Sequence, residues 1–175
     1  MPNLAAAPAG AFSPTPWQWG RLSDLAVTDL YAAMVARQEV FAVEQQCAFL
    51  DADGLDAHAW HLLGWDRRDG GRVLAGYLRI VDPGHRFAEP SIGRVLTTAA
   101  YRGTGLGRVL MTEGLAGAAR LFPGRAVRIA AQQRLEAFYE SLGFVTVGAP
   151  FPEDGIPHVE MLHPGRAAPE AAPCR

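Results

Sequence analysis

A glycine-rich turn joins a predicted strand to a predicted helix near the middle of the chain. An apolar run over residues 91–97 predicts a strand, and Gly103, Gly105 and Gly107 precede a stretch whose apolar periodicity predicts a helix to about Leu121. Glycine permits left-handed backbone, and the first turn of a helix has unpaired N–H groups. The pattern predicts an anion site, in particular for a phosphate group, with Arg102 adding a positive charge. The alternative is a tight turn with a structural role only.

Composition excludes two familiar phosphate-binding loops. All 16 basic residues of this 175-residue chain are arginine, so the turn is not a Walker A loop, which requires lysine. A Rossmann loop needs an acidic residue about 20 positions further on, and Glu113 is too close. Without lysine there is also no Schiff-base chemistry, and a general base must be glutamate, aspartate, histidine or water.

Length and charge limit the class of protein. The chain fits one folded domain, predicted over residues 17–163, between disordered tails at residues 1–16 and 164–175. A net charge of -2 argues against nucleic acid as the main partner. No apolar run is long enough for a membrane span, and the N-terminus lacks the features of a secretory signal. Cys47 and Cys174 do not suggest a disulfide framework, so we expect a cytoplasmic protein with no membrane partner.

Periodicity predicts the element order β-α-β-β-β-α-β-α-β-β, which is typical of an α/β or α+β fold with a mixed sheet. The first helix is predicted over residues 29–43, with Ser23 or Thr28 as its cap. A hairpin turn is expected at residues 66–72, and a short helix over residues 134–142 ends at Gly143.

Two motifs carry a resemblance to a known family. Residues 102–107 (RGTGLG) resemble the R/Q-x-x-G-x-G/A motif of the GNAT superfamily of acetyl-CoA-dependent N-acetyltransferases, and residues 135–144 (LEAFYESLGF) resemble its F-Y-x-x-x-G-F segment. Residues 37–47, 53–56 and 153–158 are similar to the ElaA-like group of that superfamily. The resemblance covers residues 17–162. It implies the GNAT fold, with splayed middle strands and flanking helices, and direct acetyl transfer from acetyl-CoA to an amine within a ternary complex.

The resemblance also implies residue roles. The strand before the turn is expected to pair with the pantetheine arm, and the glycine turn is expected to bind the pyrophosphate. Tyr139 matches the tyrosine that protonates the departing thiolate, although a core tyrosine with a tied hydroxyl is the alternative. Many members carry asparagine where this chain has Gln132, which is expected to replace it. The implied cofactor-binding residues are Val95, Leu96, Thr97, Arg102, Gly103, Thr104, Gly105, Leu106, Gly107, Arg108, Gln132 and Phe138. Of these, Phe138 is expected to contribute more to packing than to cofactor contact.

The acceptor side offers fewer signals. Arg37 shares the apolar face of the first helix with Phe41, and a charge there requires an acidic partner, predicted to be Asp53 or Asp56. The alternative is an arginine that extends to solvent at the rim. Glu44 and His158 are the candidate bases, since imidazole titrates near neutral pH. The predicted substrate-binding residues are Arg37, Phe41, Asp53 and Asp56.

Histidines 58 and 61 lie near three aspartates, but carboxylates in a loop more often form turns, so no metal site is predicted. His61 is interpreted as a core histidine.

Two other functions stay open. Arg37, Phe41, Asp53, Asp56, Arg79 and Arg94 resemble the early pattern of acyl-homoserine-lactone synthases, although the glycine turn favours acetyl-CoA over an acyl-carrier protein. A non-catalytic CoA-binding module is the other alternative. The expected partner is a small-molecule or peptide amine, and a homodimer is common for the fold.

Overall fold

The computed structural model describes residues 17–68 and 70–165. The predicted N-terminal tail, residues 166–175 of the predicted C-terminal tail, and Cys174 lie outside the described residues. Pro164 and Gly165, predicted to begin that tail, are described, and the Gly165 N–H donates a hydrogen bond of 3.2 Å to His163 Nδ1. The described residues therefore include the first two positions of the predicted tail.

One mixed sheet of eight strands forms the centre of the described structure, in the order β1–β2–β3–β4–β5–β8–β6, with β7 paired to β8. Among the described strands only β4 and β5 run parallel to each other. The strands are Gln18–Arg21 (β1), Ala59–Arg68 (β2), Gly71–Val81 (β3), Ser91–Thr97 (β4), Val127–Gln132 (β5), Val145–Thr146 (β6), Phe151–Glu153 (β7) and Ile156–His163 (β8). The predicted mixed sheet with interleaved helices is confirmed.

The α-helices of the described residues are Val27–Arg37 (α1), Leu106–Leu121 (α2) and Glu136–Glu140 (α3). The predicted first helix is right in extent, but its winding changes at Arg37 and it continues as a π-helix over Gln38–Glu44. The predicted caps are wrong: α1 begins after Ala26 with no side-chain cap, because Ser23 belongs to a separate 3₁₀ turn, Leu22–Asp24.

The helices pack on opposite faces of the sheet. Leu62 and Leu78 pack in a core cluster with Leu110 of α2, whereas their neighbours Leu63 and Tyr77 belong to a second cluster under α1. Because successive side chains of a strand point to opposite faces, the two clusters lie on the two sides of the sheet. No helix in the described ranges is long and apolar enough to cross a lipid bilayer.

β4 and β5 diverge after their first residues. Ser91 and Arg128 form the one ladder pair between these strands in the described structure, although the strands continue to Thr97 and Gln132. The register of β3 with β4 also shifts, so that β4 has an extra residue, and Arg94 has a φ of 52°. Such a β-bulge bends a strand and increases its twist. The divergence leaves a V-shaped opening in the middle of the sheet.

The sequence missed one strand. β7 forms a hairpin with β8 through Asp154 and Gly155, which both have positive φ, as a two-residue turn requires. Pro152 and Pro157 flank this Asp-Gly turn and obscure the strand signal, because proline cannot donate a ladder hydrogen bond. The hairpin places β7 on the far side of β8 from the open end of β5.

Candidate active site

A cavity of about 800 Å³ opens where β4 and β5 diverge. Its walls are residues 92–97 of β4 and 129–132 of β5, and the π-helix, the following loop and the β7–β8 hairpin complete it. The predicted site residues that line this cavity are Phe41, Glu44, Asp53, Val95, Leu96, Thr97, Arg102, Gln132, Tyr139 and His158. The sequence therefore assigned to the site residues from seven separate segments that the fold brings together.

The glycine turn stands at the N-terminus of α2, where Arg102 lines one end of the cavity, whereas residues 103–108 do not line it. Gly103 and Gly105 have φ values of 73° and 84°, which select glycine at these positions. Gly107 has neither a positive φ nor a neighbour that an added Cβ would touch. Since the fold itself does not require glycine at 107, the open surface there fits the close approach of a ligand to the backbone.

Arg102 lies beside the turn and already has an anionic partner. Its Nη2 is 2.6 Å from Oε2 of Glu44, and its Nε donates a 3.4 Å hydrogen bond to the Thr97 carbonyl. Both side chains of the ion pair are more than one-third exposed, so the pair is screened by solvent and weak. A phosphate group at the turn would compete with the Glu44 carboxylate for this arginine.

The side chains of four predicted cofactor-binding residues make contacts within the protein. The Thr104 hydroxyl donates to the Tyr101 carbonyl at 2.7 Å, and Leu106 is buried in the core. Arg108 donates to the Ser141 hydroxyl at 2.8 Å and lies over the ring of Phe138, which packs against the main core cluster. The backbone N–H of Leu106 donates to the Thr104 hydroxyl at 3.4 Å and that of Arg108 to the Gly105 carbonyl at 3.1 Å, so a ligand at these two groups would have to replace internal hydrogen bonds.

Tyr139 lines the cavity from α3 and is almost fully buried, at 7% exposure. Burial raises the pKa of its phenol to about 12. Within residues 17–68 and 70–165 the hydroxyl makes no side-chain hydrogen bond, so it is not the tied-off core tyrosine of the alternative interpretation. A protonated, unengaged phenol therefore faces the space between β4 and β5.

The end of β5 meets the β7–β8 hairpin at the other end of the cavity. His158 pairs with Gln132 across the β5–β8 ladder, and its Nδ1 is 2.8 Å from the Ile156 carbonyl. The Gln132 amide donates to Gln45 at 3.1 Å, so the segment after α1 contacts β5 across the opening. Glu153 forms a 2.8 Å ion pair with Arg86, and both line the cavity.

A closed ring of six ion-paired side chains adjoins the cavity, which two of its members, Asp53 and Arg94, line. Each arginine in this ionic ring joins two aspartates. The ring runs Arg37–Asp51 (2.8 Å), Asp51–Arg94 (2.7 Å), Arg94–Asp53 (3.3 Å), Asp53–Arg79, Arg79–Asp56 (2.7 Å) and Asp56–Arg37 (2.7 Å). Three positive and three negative charges cancel, which makes their burial tolerable.

The ring stabilises the charged forms of its members. Burial alone would raise the pKa of Asp53, but hydrogen bonds and charge from Arg79 outweigh it and lower the pKa to about 2. The pKa of Asp56 is lowered likewise, since burial is outweighed by Arg37 and Arg79. His61 lies beneath the ring, and burial lowers its pKa. Its ring nitrogens meet the Tyr77 hydroxyl at 2.7 Å and the Asp56 carbonyl at 3.1 Å, which confirms a core histidine.

The prediction of a buried, paired Arg37 is confirmed, since its side chain is 1% exposed, but the partners differ in part. Asp56 is a partner as predicted, Asp51 is the other, and Asp53 pairs with Arg79 and Arg94 instead. Arg37 and Asp56 do not line the cavity; they are linked through Asp51 and Arg79 to Arg94 and Asp53, which do line it, and their role in substrate binding stays a prediction.

The aspartates beside His58 and His61 are engaged by arginines. Within the described residues no group of three or more histidine, cysteine, aspartate or glutamate side chains is arranged to hold a metal ion. Cys47 is a free thiol at 3.7 Å from the Asp154 carbonyl.

Sequence reasoning missed Arg86, Glu153 and Gln45 as individual site residues. Arg86 lies in the β3–β4 loop, whose sequence has no motif. Residues 153–158 were noticed only through their resemblance to the ElaA-like group. An acidic residue next to an Asp-Gly hairpin turn, close before the candidate base His158, is the signal that would have drawn attention to Glu153.

Comparison with known proteins agrees with this geometry. The profile of the acetyltransferase (GNAT) domain family matches residues 65–163. A UPF0039 protein of Synechocystis is 42% identical over 83% of this chain and 93% of its own. The ElaA protein of Escherichia coli is 38% identical over 83% of this chain and 94% of its own, and its crystal structure superposes with a TM-score of 0.77. An acyl-CoA N-acyltransferase structure from Pseudomonas aeruginosa, 41% identical, covers 86% of this chain and 99% of its own with a TM-score of 0.79.

The matched profile spans more than half of the chain, and both parts of the cavity wall lie within it. The relatives are covered over nearly their whole length. The chain is therefore an enzyme of the GNAT acetyltransferase family, within its ElaA-like group.

Proposed function

We propose that this protein is an N-acetyltransferase that transfers the acetyl group of acetyl-CoA directly to an amine within a ternary complex. The observation that carries the proposal is the single cavity between the diverging strands. It extends from Arg102, beside the glycine turn, past the Tyr139 phenol to His158. A phosphate-binding end, a proton donor and a proton acceptor thus face one continuous space.

The cofactor end follows from backbone chemistry. N–H groups of residues 103–108 and the Arg102 guanidinium would bind the pyrophosphate, with Arg102 exchanging Glu44 for a phosphate oxygen. On the side that faces β5, residues 95–97 of β4 have no strand partner and offer backbone groups to the amides of the pantetheine arm. Gln132 stands on the opposite wall, where its amide is now shared with Gln45.

The chemistry needs two proton movements. A neutral amine nitrogen bonds to the thioester carbon while the carbon–sulfur bond breaks, so the amine side loses protons and the sulfur gains one. Tyr139 is placed to protonate the thiolate. Its pKa of about 12 keeps it protonated at neutral pH, and the burial that raises its pKa would also raise the proton affinity of a thiolate formed beside it.

Two residues remain candidates for the base. His158 is the better placed, because it lines the cavity at the end of β5 and only its Nδ1 is engaged by the protein. Glu44 also lines the cavity, but its carboxylate is held by Arg102 beside the glycine turn. We therefore assign the base to His158 and a role in acetyl-CoA entry to Glu44.

Steady-state kinetics test the function. Thiol release from acetyl-CoA, measured over a matrix of acetyl-CoA and primary amine concentrations, should give intersecting double-reciprocal lines, because both substrates bind before transfer. Parallel lines would contradict direct transfer. Arg102→Glu should raise the KM for acetyl-CoA at least tenfold. Arg67→Glu, an equal charge reversal at an exposed position of β2, should leave this KM unchanged. Binding of acetyl-CoA without turnover of any amine would instead indicate a CoA-binding module.

A second function is an acyl transfer from an acyl-carrier protein, as in acyl-homoserine-lactone synthases. The residues that carry that resemblance do lie together, since five of them form the ionic ring with Asp51, and Phe41 lies against Arg94. They pair with one another, which gives them a supporting role for either donor. Comparison of acetyl-CoA with an acyl-carrier thioester as donor separates the two functions.

A further inference from the structure

We infer that Glu153 and His158 form the binding site for the ammonium group of a primary aliphatic amine, which makes such amines the acceptor class. This inference rests on the proposed function for its catalytic meaning. The two residues stand on the paired strands β7 and β8 and line the same cavity as the thioester-binding strand β4. Their geometry identifies what they bind.

The hydrogen bonding of His158 fixes its tautomer. Its Nδ1 lies 2.8 Å from the Ile156 carbonyl, and a carbonyl oxygen only accepts, so Nδ1 carries the hydrogen. In the neutral imidazole Nε2 therefore has a lone pair and acts as an acceptor. Nε2 lies 4.0 Å from Oε2 of Glu153, which is too long for a hydrogen bond.

Glu153 has one carboxylate oxygen, Oε2, that can accept a hydrogen bond from a ligand, because Arg86 binds the other oxygen, Oε1. Arg86 holds Oε1 at 2.8 Å. With Oε1 held from the β3–β4 loop, Oε2 is the oxygen that faces His158. Arg86 is thus a positioning residue for this carboxylate.

Two acceptors that face each other at 4.0 Å can share one donor group. A nitrogen displaced to the side of the line that joins them can lie about 2.9 Å from both, which is the ordinary length of an N–H···O or N–H···N hydrogen bond. A primary ammonium has three N–H donors and a positive charge that the carboxylate stabilises. A neutral alcohol has one O–H donor and no charge, so it satisfies one acceptor at most.

The cavity brings this pair to the same opening as the predicted acetyl position. Residues 95–97 of β4 line one wall of the opening, and Gln132 of β5 lines the other. Gln132 in turn pairs with His158. The ammonium site therefore faces the same opening in which the pantetheine arm is proposed to present its thioester.

The chemistry balances with these groups. The bound ammonium gives one proton to His158 Nε2, and the neutral amine attacks the thioester carbon. As the carbon–sulfur bond breaks, the sulfur takes a proton from Tyr139, and Tyr139 regains one from the nitrogen that becomes the amide. The products are the N-acetyl amine, the free CoA thiol and one proton, which His158 releases to solvent.

Calorimetric binding to the CoA-bound protein tests the site without turnover. The probes are propylammonium, 1,4-diaminobutane and 2-phenylethylammonium, with 2-phenylethanol as the uncharged analogue. Glu153→Gln should weaken binding of the ammonium probes about tenfold or more, since a charged hydrogen bond is lost. Glu140→Gln removes an equal charge from an exposed position on α3 outside the cavity and should leave binding within twofold. 2-Phenylethanol should bind both variants equally weakly.

Kinetics with the same variants separate this inference from the proposed function. Glu153→Gln should raise the KM for the amine with little change in kcat or in the KM for acetyl-CoA, and Arg86→Met should do so to a smaller extent. Equal ammonium binding by the wild type and Glu153→Gln, or no binding of any ammonium probe by the wild type, overturns the inference. Glu153-dependent ammonium binding without acetylated product would instead refute the proposed function and leave the site intact.

Discussion

The ionic ring should be a large single contribution to the stability of this domain, and Arg37→Met tests it. Methionine keeps an unbranched side chain in a site that is 1% exposed but removes the charge. The substitution breaks contacts of 2.8 Å to Asp51 and 2.7 Å to Asp56, together with a 2.9 Å hydrogen bond to the Asp51 carbonyl. Three carboxylates would then share two arginines.

The magnitude follows from that imbalance. Removing one partner of a buried ion pair costs about 3–5 kcal/mol, because the other charge stays buried. Asp51 and Asp56 each keep one arginine, so we expect the lower part of that range, about 3 kcal/mol. Stabilities of domains are about 5–15 kcal/mol, so the variant should fold but with a much lower urea midpoint.

Urea unfolding followed by tryptophan fluorescence measures this loss. Arg67→Met, at an exposed position of β2, is the matched control and should change the free energy of unfolding by less than about 0.5 kcal/mol. Asp51→Asn added to Arg37→Met restores the charge balance and should recover part of the loss. A loss below about 1 kcal/mol for Arg37→Met would refute the reasoning that the ring is buried and tightly coupled.

Three further predictions concern the cavity and pH. Glu44→Gln should tighten acetyl-CoA binding about two- to fivefold in calorimetry, because it frees Arg102 from an exposed ion pair worth up to about 1 kcal/mol; weaker binding would contradict competition at this site. Tyr139→Phe should lower kcat about 10²-fold with little change in KM, and wild-type turnover would exclude it as the acid. Burial would raise the pKa of Asp53, but Arg79 lowers it from the ordinary 3.8 to about 2 in the folded state, so the unfolded state binds more protons. The contribution of Asp53 to stability is therefore complete above about pH 4 and is lost as the pH falls toward 2; Arg79→Met, which removes this partner, should lose less stability over that range than the wild type in an acid titration.

The sequence predicted the parts of the fold that local patterns determine. Residues 91–97 are a strand with the predicted bounds, because the apolar run defines its extent and the glycine turn follows its end. The apolar position of Arg37 correctly indicated a buried, paired charge. The π-helix after Arg37 was not predicted, because π-helices are rare and the apolar pattern of residues 38–44 does not distinguish one from an α-helix.

The pairing within the site depends on long-range geometry. Asp51, Asp53 and Asp56 lie in one loop, and spacing alone did not distinguish which of them meets Arg37 and which meets Arg79 or Arg94. The bulge at Arg94 decides this, since it directs that guanidinium to both Asp51 and Asp53. Likewise Arg86 reaches Glu153 across 67 residues of sequence, so no local motif announces their contact.

The most direct test of the account is a crystal structure of the acetyl-CoA complex. We predict that the pantetheine arm lies between β4 and β5, that the pyrophosphate contacts the backbone of residues 103–108, and that Arg102 has left Glu44 for a phosphate oxygen. The sulfur should lie within hydrogen-bond reach of the Tyr139 hydroxyl, with the thioester facing His158. Acetyl-CoA bound outside this opening, or bound with the Glu44–Arg102 pair intact, would contradict the account.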